Sequence, residues 1–150
     1  MQIQERPTEP SSTFDGARLF AVPSNDIDEW WPSVVHHIER WVEHDGTWNT
    51  SGVRDEIRSA RAQLWCLYFG EVKGVWVTRV ERTPRCKWGV VWGCGGEMGE
   101  LKNEAVAMFS MIEDWFRSIG CEFVEWSGRE GWTRVFPEYR RHAVVMRKKL

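Results

Sequence analysis

The chain has 150 residues, with 20 basic and 22 acidic side chains and a formal charge of −2. That length holds one domain with a single proper core, and the near-balance of charge excludes a dedicated nucleic-acid binder, whose affinity comes from many Lys and Arg contacts to phosphate. No apolar run is long enough to span a bilayer, and the opening Met1-Gln2-Ile3-Gln4-Glu5 lacks the basic and apolar parts of a signal peptide, so a soluble cytoplasmic protein without membrane insertion is expected.

In chain order, residues 1–13 contain Pro7, Pro10, Ser11 and Ser12 without periodicity. They predict a flexible arm, leaving 14–150 as a single domain. Arg18-Leu19-Phe20-Ala21-Val22 predicts a short strand closed by Pro23. N-cap residue types at 24–28 lead into a helix whose apolar face carries Val34, Ile38, Trp41 and Val42 and which Asp45-Gly46 ends. Thr50 or Ser51 caps a second helix through Val53, Ile57 and Ala60.

From Gln63 the period changes. Residues 64–69, 74–80 and 87–92 predict three strands joined by turns at Gly70-Glu71 and Thr83-Pro84-Arg85, too short for anything but an antiparallel meander. The glycine cluster Gly93-Cys94-Gly95-Gly96-Glu97-Met98-Gly99 then reads as a loop before a helix over residues 99–119. That helix carries an apolar stripe at Leu101, Ala105, Met108, Ile112, Trp115 and Ile119, and Gly120 ends it. After such a crossover, residues 121–126 should run parallel to the 87–92 strand. A short helix over 130–136, stopped by Pro137, and a last strand over 143–146 complete the order. The expected class is α/β, a mixed sheet with an antiparallel meander, one parallel β-α-β crossover and helices on both faces.

Four cysteines at 66, 86, 94 and 121 contain no C-x-x-C pair; three of them lie in apolar strand-like surroundings and read as buried thiols, not as a disulfide framework or zinc site. Cys94 as a nucleophile has no His near it in sequence. His36, His37 and His44 with Glu39 and Glu43 read as a solvated helix face, so no metal is expected. Eleven tryptophans predict core or interface anchors, and a Trp-rich surface would suit a protein partner. The basic stretches Arg140-Arg141 and Arg147-Lys148-Lys149 read as exposed edges, or as a contact for an acidic partner.

The element order, with glycines between the 87–92 strand and the following helix, resembles the GNAT N-acetyltransferase fold. It is similar in particular to the internal virion protein and acetyltransferase-like branch of short-tailed phages. The residues that carry this are Gln63-Leu64-Trp65, Val77-Thr78, Gly95-Gly96, Gly120-Cys121, Gly128-Arg129-Glu130-Gly131-Trp132 and Met146-x-Lys148-x-Leu150, spread over residues 17–150.

The resemblance implies acetyl-CoA as cofactor, an amine as acceptor, and Gly93, Gly95, Gly96 and Gly99 as a phosphate-binding loop. Two adjacent glycines also suit a plain tight turn. Arg129 would meet an anion at the mouth of the sheet, or else bond carbonyls or Glu125. Glu81 or Glu125 would act as base. The family's tyrosine acid has its nearest counterpart in Tyr139, which comes after Pro137. The glycine loop holds no Arg or Lys, carries Glu97 and Glu100, and has Lys102 as its nearest cation. Two functional readings follow: a phage-encoded acetyl-CoA-dependent N-acyltransferase, or a catalytically silent scaffold that contacts phage structural or host proteins. Either would work in the host cytoplasm during infection or within the virion.

Overall fold

The computed structural model describes residues 10–97 and 99–150. It differs from expectation at its start. Ser11–Phe14 is a strand, β1, paired antiparallel with β2 (Ala17–Val22). Asp15 and Gly16 join them, both at positive φ (50° and 83°), the two-residue geometry that suits the twist of paired strands. The expected arm thus loses residues 11–13 to the sheet, and its residues 1–9 lie outside those described.

After a 3-10 turn at Ser24–Asp26, α1 (Ile27–Asp45) ends on Gly46 in the left-handed conformation. The cap of α2 (Thr50–Arg58) is Asn49, not Thr50 or Ser51: its side chain accepts the Gly52 N–H at 2.7 Å. The meander forms as expected from β3 (Gln63–Tyr68), β4 (Val72–Arg82) and β5 (Lys87–Gly96). The third helix, α3 (Lys102–Ser118), leads to β6 (Val124–Trp126), which pairs parallel with β5. A 3-10 turn at Glu130–Arg134 replaces the short helix expected over 130–136. The strand expected at 143–146 does not form, because that segment meets no partner strand. Val144, Val145 and Met146 are 70%, 78% and 88% exposed.

The six strands lie in sequence order in one sheet, and alternation sends their side chains to two layers. On one face Val34, Ile38, Val53 and Ile57 of α1 and α2 pack on Leu64, Cys66, Val75 and Val77. On the other, Met108, Ile112 and Phe116 of α3 pack on Leu19, Trp65, Trp76 and Val91. Helices on both faces were expected from the order of elements. One buried polar chain crosses the α3 layer. Trp65 Nε1 donates to Thr78 Oγ1 at 2.9 Å, and that hydroxyl donates to Gln63 Oε1 at 2.8 Å. A hydroxyl can accept and donate at one atom, which suits this link.

All four cysteines are free, but only Cys66 is fully buried, so the buried-thiol expectation holds for one of them. The histidine-rich face of α1 also divides. His37 is buried and its Nε2 donates to the Val72 carbonyl at 2.9 Å, while Nδ1 is buried with no partner among the described residues. Burial holds the imidazole pKa below its ordinary 6.5, against a smaller upward effect of the Val72 bond. With the folded pKa depressed, the unfolded chain takes up a proton first as pH falls. Stability is therefore full above about pH 6.5 and declines below it until the folded pKa is passed. Urea unfolding at about pH 7.5 and about pH 5.5 should show a lower midpoint at the acid value. A His37→Gln variant should lack that part of the difference.

Candidate active site

Beyond the paired region the sheet opens. β5 and β6 pair only at Gly89 with Val124, Val90 with Glu125 and Val91 with Trp126, after which β5 runs on to Gly96 alone on that side. The cause is local. The β4–β5 register steps from Thr78 opposite Val91 to Val77 opposite Gly93, leaving Trp92 as an unopposed bulge residue. A bulge bends its strand and increases the twist, here carrying β5 away from β6.

The glycine cluster does not form the expected loop. Gly93, Gly95 and Gly96 belong to β5 and pair with Val77, Val75 and Gly74 of β4. A Cβ on Gly93 would fall within the indole of Trp41, and one on Gly95 would collide with the carbonyl oxygen of His37. The absent side chains therefore let α1 lie directly on the strand. Gly96 sits at φ 131° against the Lys73 carbonyl, while Gly99 faces open space.

Around the bulge the α1 face is aromatic. Trp92 meets Trp41 and Trp48 edge-on at centroid distances of 5.0 and 4.7 Å, and the Arg79 guanidinium lies 4.8 Å from its ring centre. These residues come from α1, the α1–α2 connection, β4 and β5, so no sequence window contained the cluster. Next to it the structure brings together the two carboxylates expected as bases. Glu81 lies opposite Trp88 across the strands, and Trp88 Nε1 donates to Glu125 Oε1 at 3.0 Å. Trp88 also stacks on Phe123 at 5.6 Å. Glu81 and Glu125 thus flank one indole on the sheet face not covered by α3.

The sequence matches no family model and no curated protein sequence. Solved structures are another matter. An aminoglycoside acetyltransferase from an uncultured soil metagenomic sample superimposes with a TM-score of 0.68 at 8% identity, over 91% of this chain and 97% of the other. Glucosamine-6-phosphate N-acetyltransferase from Arabidopsis thaliana gives 0.63 at 11% identity, over 89% and 97%. A GNAT family acetyltransferase from Staphylococcus aureus gives 0.63 at 8%, over 90% and 99%.

This is a GNAT fold.

In this GNAT fold the remaining expected residues lie apart from Glu81 and Glu125. Tyr139 is on the α3 side of the sheet, where it packs near Phe109 and Trp126 and its hydroxyl donates to Glu113 Oε2 at 2.8 Å. Burial and that carboxylate push its pKa far above the ordinary value of 10. Arg129 is exposed beyond the end of β6. A cavity of about 430 Å³, lined by Glu113, Phe116, Cys121, Val124 and Tyr139 among others, lies at the start of β6, away from the opening. Glu81 and Glu125, the bulge and the free edge of β5 are elsewhere.

The start of α3 has no side-chain cap, so its first N–H groups are available to an anion. The surrounding charge opposes one. Glu97 and Glu100 are exposed there, and Lys73 is shared between Glu71 at 2.8 Å and Glu97 at 3.7 Å. The backbone N–H of Glu97 already donates to the Lys73 carbonyl. Cys94, at the opened part of β5, is open to solvent yet crowded enough that desolvation raises its thiol pKa, and no His, Cys, Asp or Glu group among the described residues could hold a metal.

Proposed function

We propose that this chain is an N-acyltransferase that moves the acetyl group of acetyl-CoA to an amine. The observation that carries this is the parting of β5 from β6 at the Trp92 bulge beside Glu81 and Glu125. The free edge of β5 from Trp92 to Gly96 fits an extended, amide-bearing arm, since an unpaired strand edge offers N–H and C=O groups in alternation. The uncapped start of α3 and Lys102 would face the diphosphate. Acetyl-CoA, when bound, supplies the thioester.

The protein's own part is positioning and proton removal. Glu81 or Glu125, directly or through water, takes the proton that the acceptor nitrogen loses as it attacks. Trp88 between them presents a ring face to a cationic amine. Tyr139, donating to Glu113 on the other side of the sheet, is assigned no proton step.

Calorimetry and thermal melting with acetyl-CoA test the reading. Heat and an upward melting shift are expected. Glu97→Gln should tighten binding by about fivefold, because one carboxylate near a phosphate in a solvated site costs on the order of 1 kcal/mol. No heat and no shift at about 1 mM ligand would overturn it.

The acidic surroundings of α3 favour a second reading, a GNAT scaffold without transfer activity that acts by protein contact. The phage resemblance makes that contact one of virion assembly, with the chain in the infected host's cytoplasm or in the particle. Mass spectrometry of purified virions separates those two locations.

A further inference from the structure

We propose that the acceptor is a free α-amino acid, held with its amine on Glu81 and its carboxylate on Arg79. The inference rests on the acyltransferase reading above and narrows its amine to one that carries an anion on the neighbouring carbon.

β4 brings the two charges together. Arg79 and Glu81 are two residues apart on that strand, and Val80 between them packs in the α3 layer, so both side chains leave from the opposite face. Arg79 is anchored there. Its guanidinium lies 4.8 Å from the centre of the Trp92 ring, and Trp92 is itself braced edge-on by Trp41 and Trp48. The guanidinium carries a fixed fork of N–H donors that matches a carboxylate. At 3.7 Å its Nε attracts Glu81 Oε1 but is beyond hydrogen-bond reach of it.

An α-amino acid fits this spacing. Its nitrogen and carboxylate oxygens are about 3 Å apart, close to the 3.7 Å between Arg79 Nε and Glu81 Oε1. Laid across the pair, amine against Glu81 and carboxylate against Arg79, it closes a four-cornered ring of charges that alternate in sign. Neither protein group has to leave the other. In the transfer, nitrogen bonds to the acetyl carbon as the carbon–sulfur bond breaks with its electron pair on sulfur. The proton that nitrogen loses passes to Glu81 and on to solvent, and the carboxylate is unchanged.

Other amines fit less well. Arg79 repels the ammonium of a lysine side chain or a polyamine. A peptide N-terminus offers a neutral amide where the fork expects an anion. The surrounding open surface is aromatic: Trp48, against Trp92, is 37% exposed, and Phe123, against Trp88, is 47% exposed. An apolar side chain on the amino acid suits that surface.

Initial rates of the full chain with acetyl-CoA test this on matched acceptors: L-phenylalanine with phenethylamine, L-tyrosine with tyramine, and L-leucine with isopentylamine. At least one acid should exceed its decarboxylated partner in kcat/KM, and Arg79→Gln should shrink that ratio by about tenfold or more. Amine basicity is the same in both proteins, so the change belongs to Arg79. Arg79→Lys keeps the charge, loses the fork and should fall between the two, and it carries the comparison if Arg79→Gln does not fold. A preference for the amines, or a ratio that these variants leave unchanged, overturns the inference and leaves the acyltransferase reading standing. So does acetyl-CoA binding in calorimetry without transfer to any of these acids. Absence of that binding overturns both.

Discussion

Gly95→Ala should lower the unfolding free energy by about 3 kcal/mol, read from the midpoint of urea denaturation. The added methyl meets the backbone carbonyl of His37, and a backbone atom inside α1 cannot rotate aside. Relief requires moving the helix, which also carries the His37 bond to Val72 and the buried Val34 and Ile38. Gly93→Ala makes an informative contrast, because its obstacle is the side chain of Trp41. Combined with Trp41→Leu, Gly93→Ala should cost clearly less than the sum of the two single changes, whereas Gly95→Ala and Trp41→Leu should add. A Gly95→Ala protein of near-native stability that had lost acetyl-CoA binding would return these glycines to the ligand and overturn the packing account.

Glu81→Gln should reduce kcat/KM for amine acetylation by about 100-fold while leaving the acetyl-CoA dissociation constant unchanged. The two carboxylates beside Trp88 are not equivalent. Glu125 already accepts the indole N–H at 3.0 Å, whereas Glu81 has a looser contact to Arg79 Nε at 3.7 Å. Glu81 therefore keeps more of its acceptor capacity for an amine proton. Glu125→Gln retains a carbonyl acceptor for Trp88 and should have the smaller effect. Equal activity in the Glu81→Gln and wild-type proteins would remove Glu81 as the base, and a larger loss in Glu125→Gln would reverse the assignment.

Most of the fold was legible where physics is local. The meander follows from β-branched runs and short turns, and α3 from a stripe that repeats every three or four residues. β1 was missed although its signal, Asp15-Gly16, is a hairpin turn pair; Ser11-Ser12-Thr13 has no apolar alternation to reinforce it. The segment 143–146 failed in the opposite sense, having strand composition but no partner within the chain. In the proposed site, Glu81 and Glu125 could be put forward because each sits on a recognisable strand. That Trp88 joins them follows from register, which a bulge at Trp92 shifts and no single-strand pattern reveals. Tyr139 was drawn to the site as the nearest counterpart of the family's tyrosine acid, while the structure ties it to Glu113 on the α3 side of the sheet.

The contact of α1 with Gly93 and Gly95 bears on how this chain can drift over generations. Substitution there is opposed by folding, whatever becomes of catalysis. A lineage that abandoned acetyl transfer would keep the same glycine run, and the run would look like a preserved ligand signature. Glu97 and Glu100 carry no such structural constraint, being exposed at the mouth of α3. Their replacement by neutral or basic residues in sister lineages would mark selection for a phosphate-bearing ligand, and their retention would mark its relaxation.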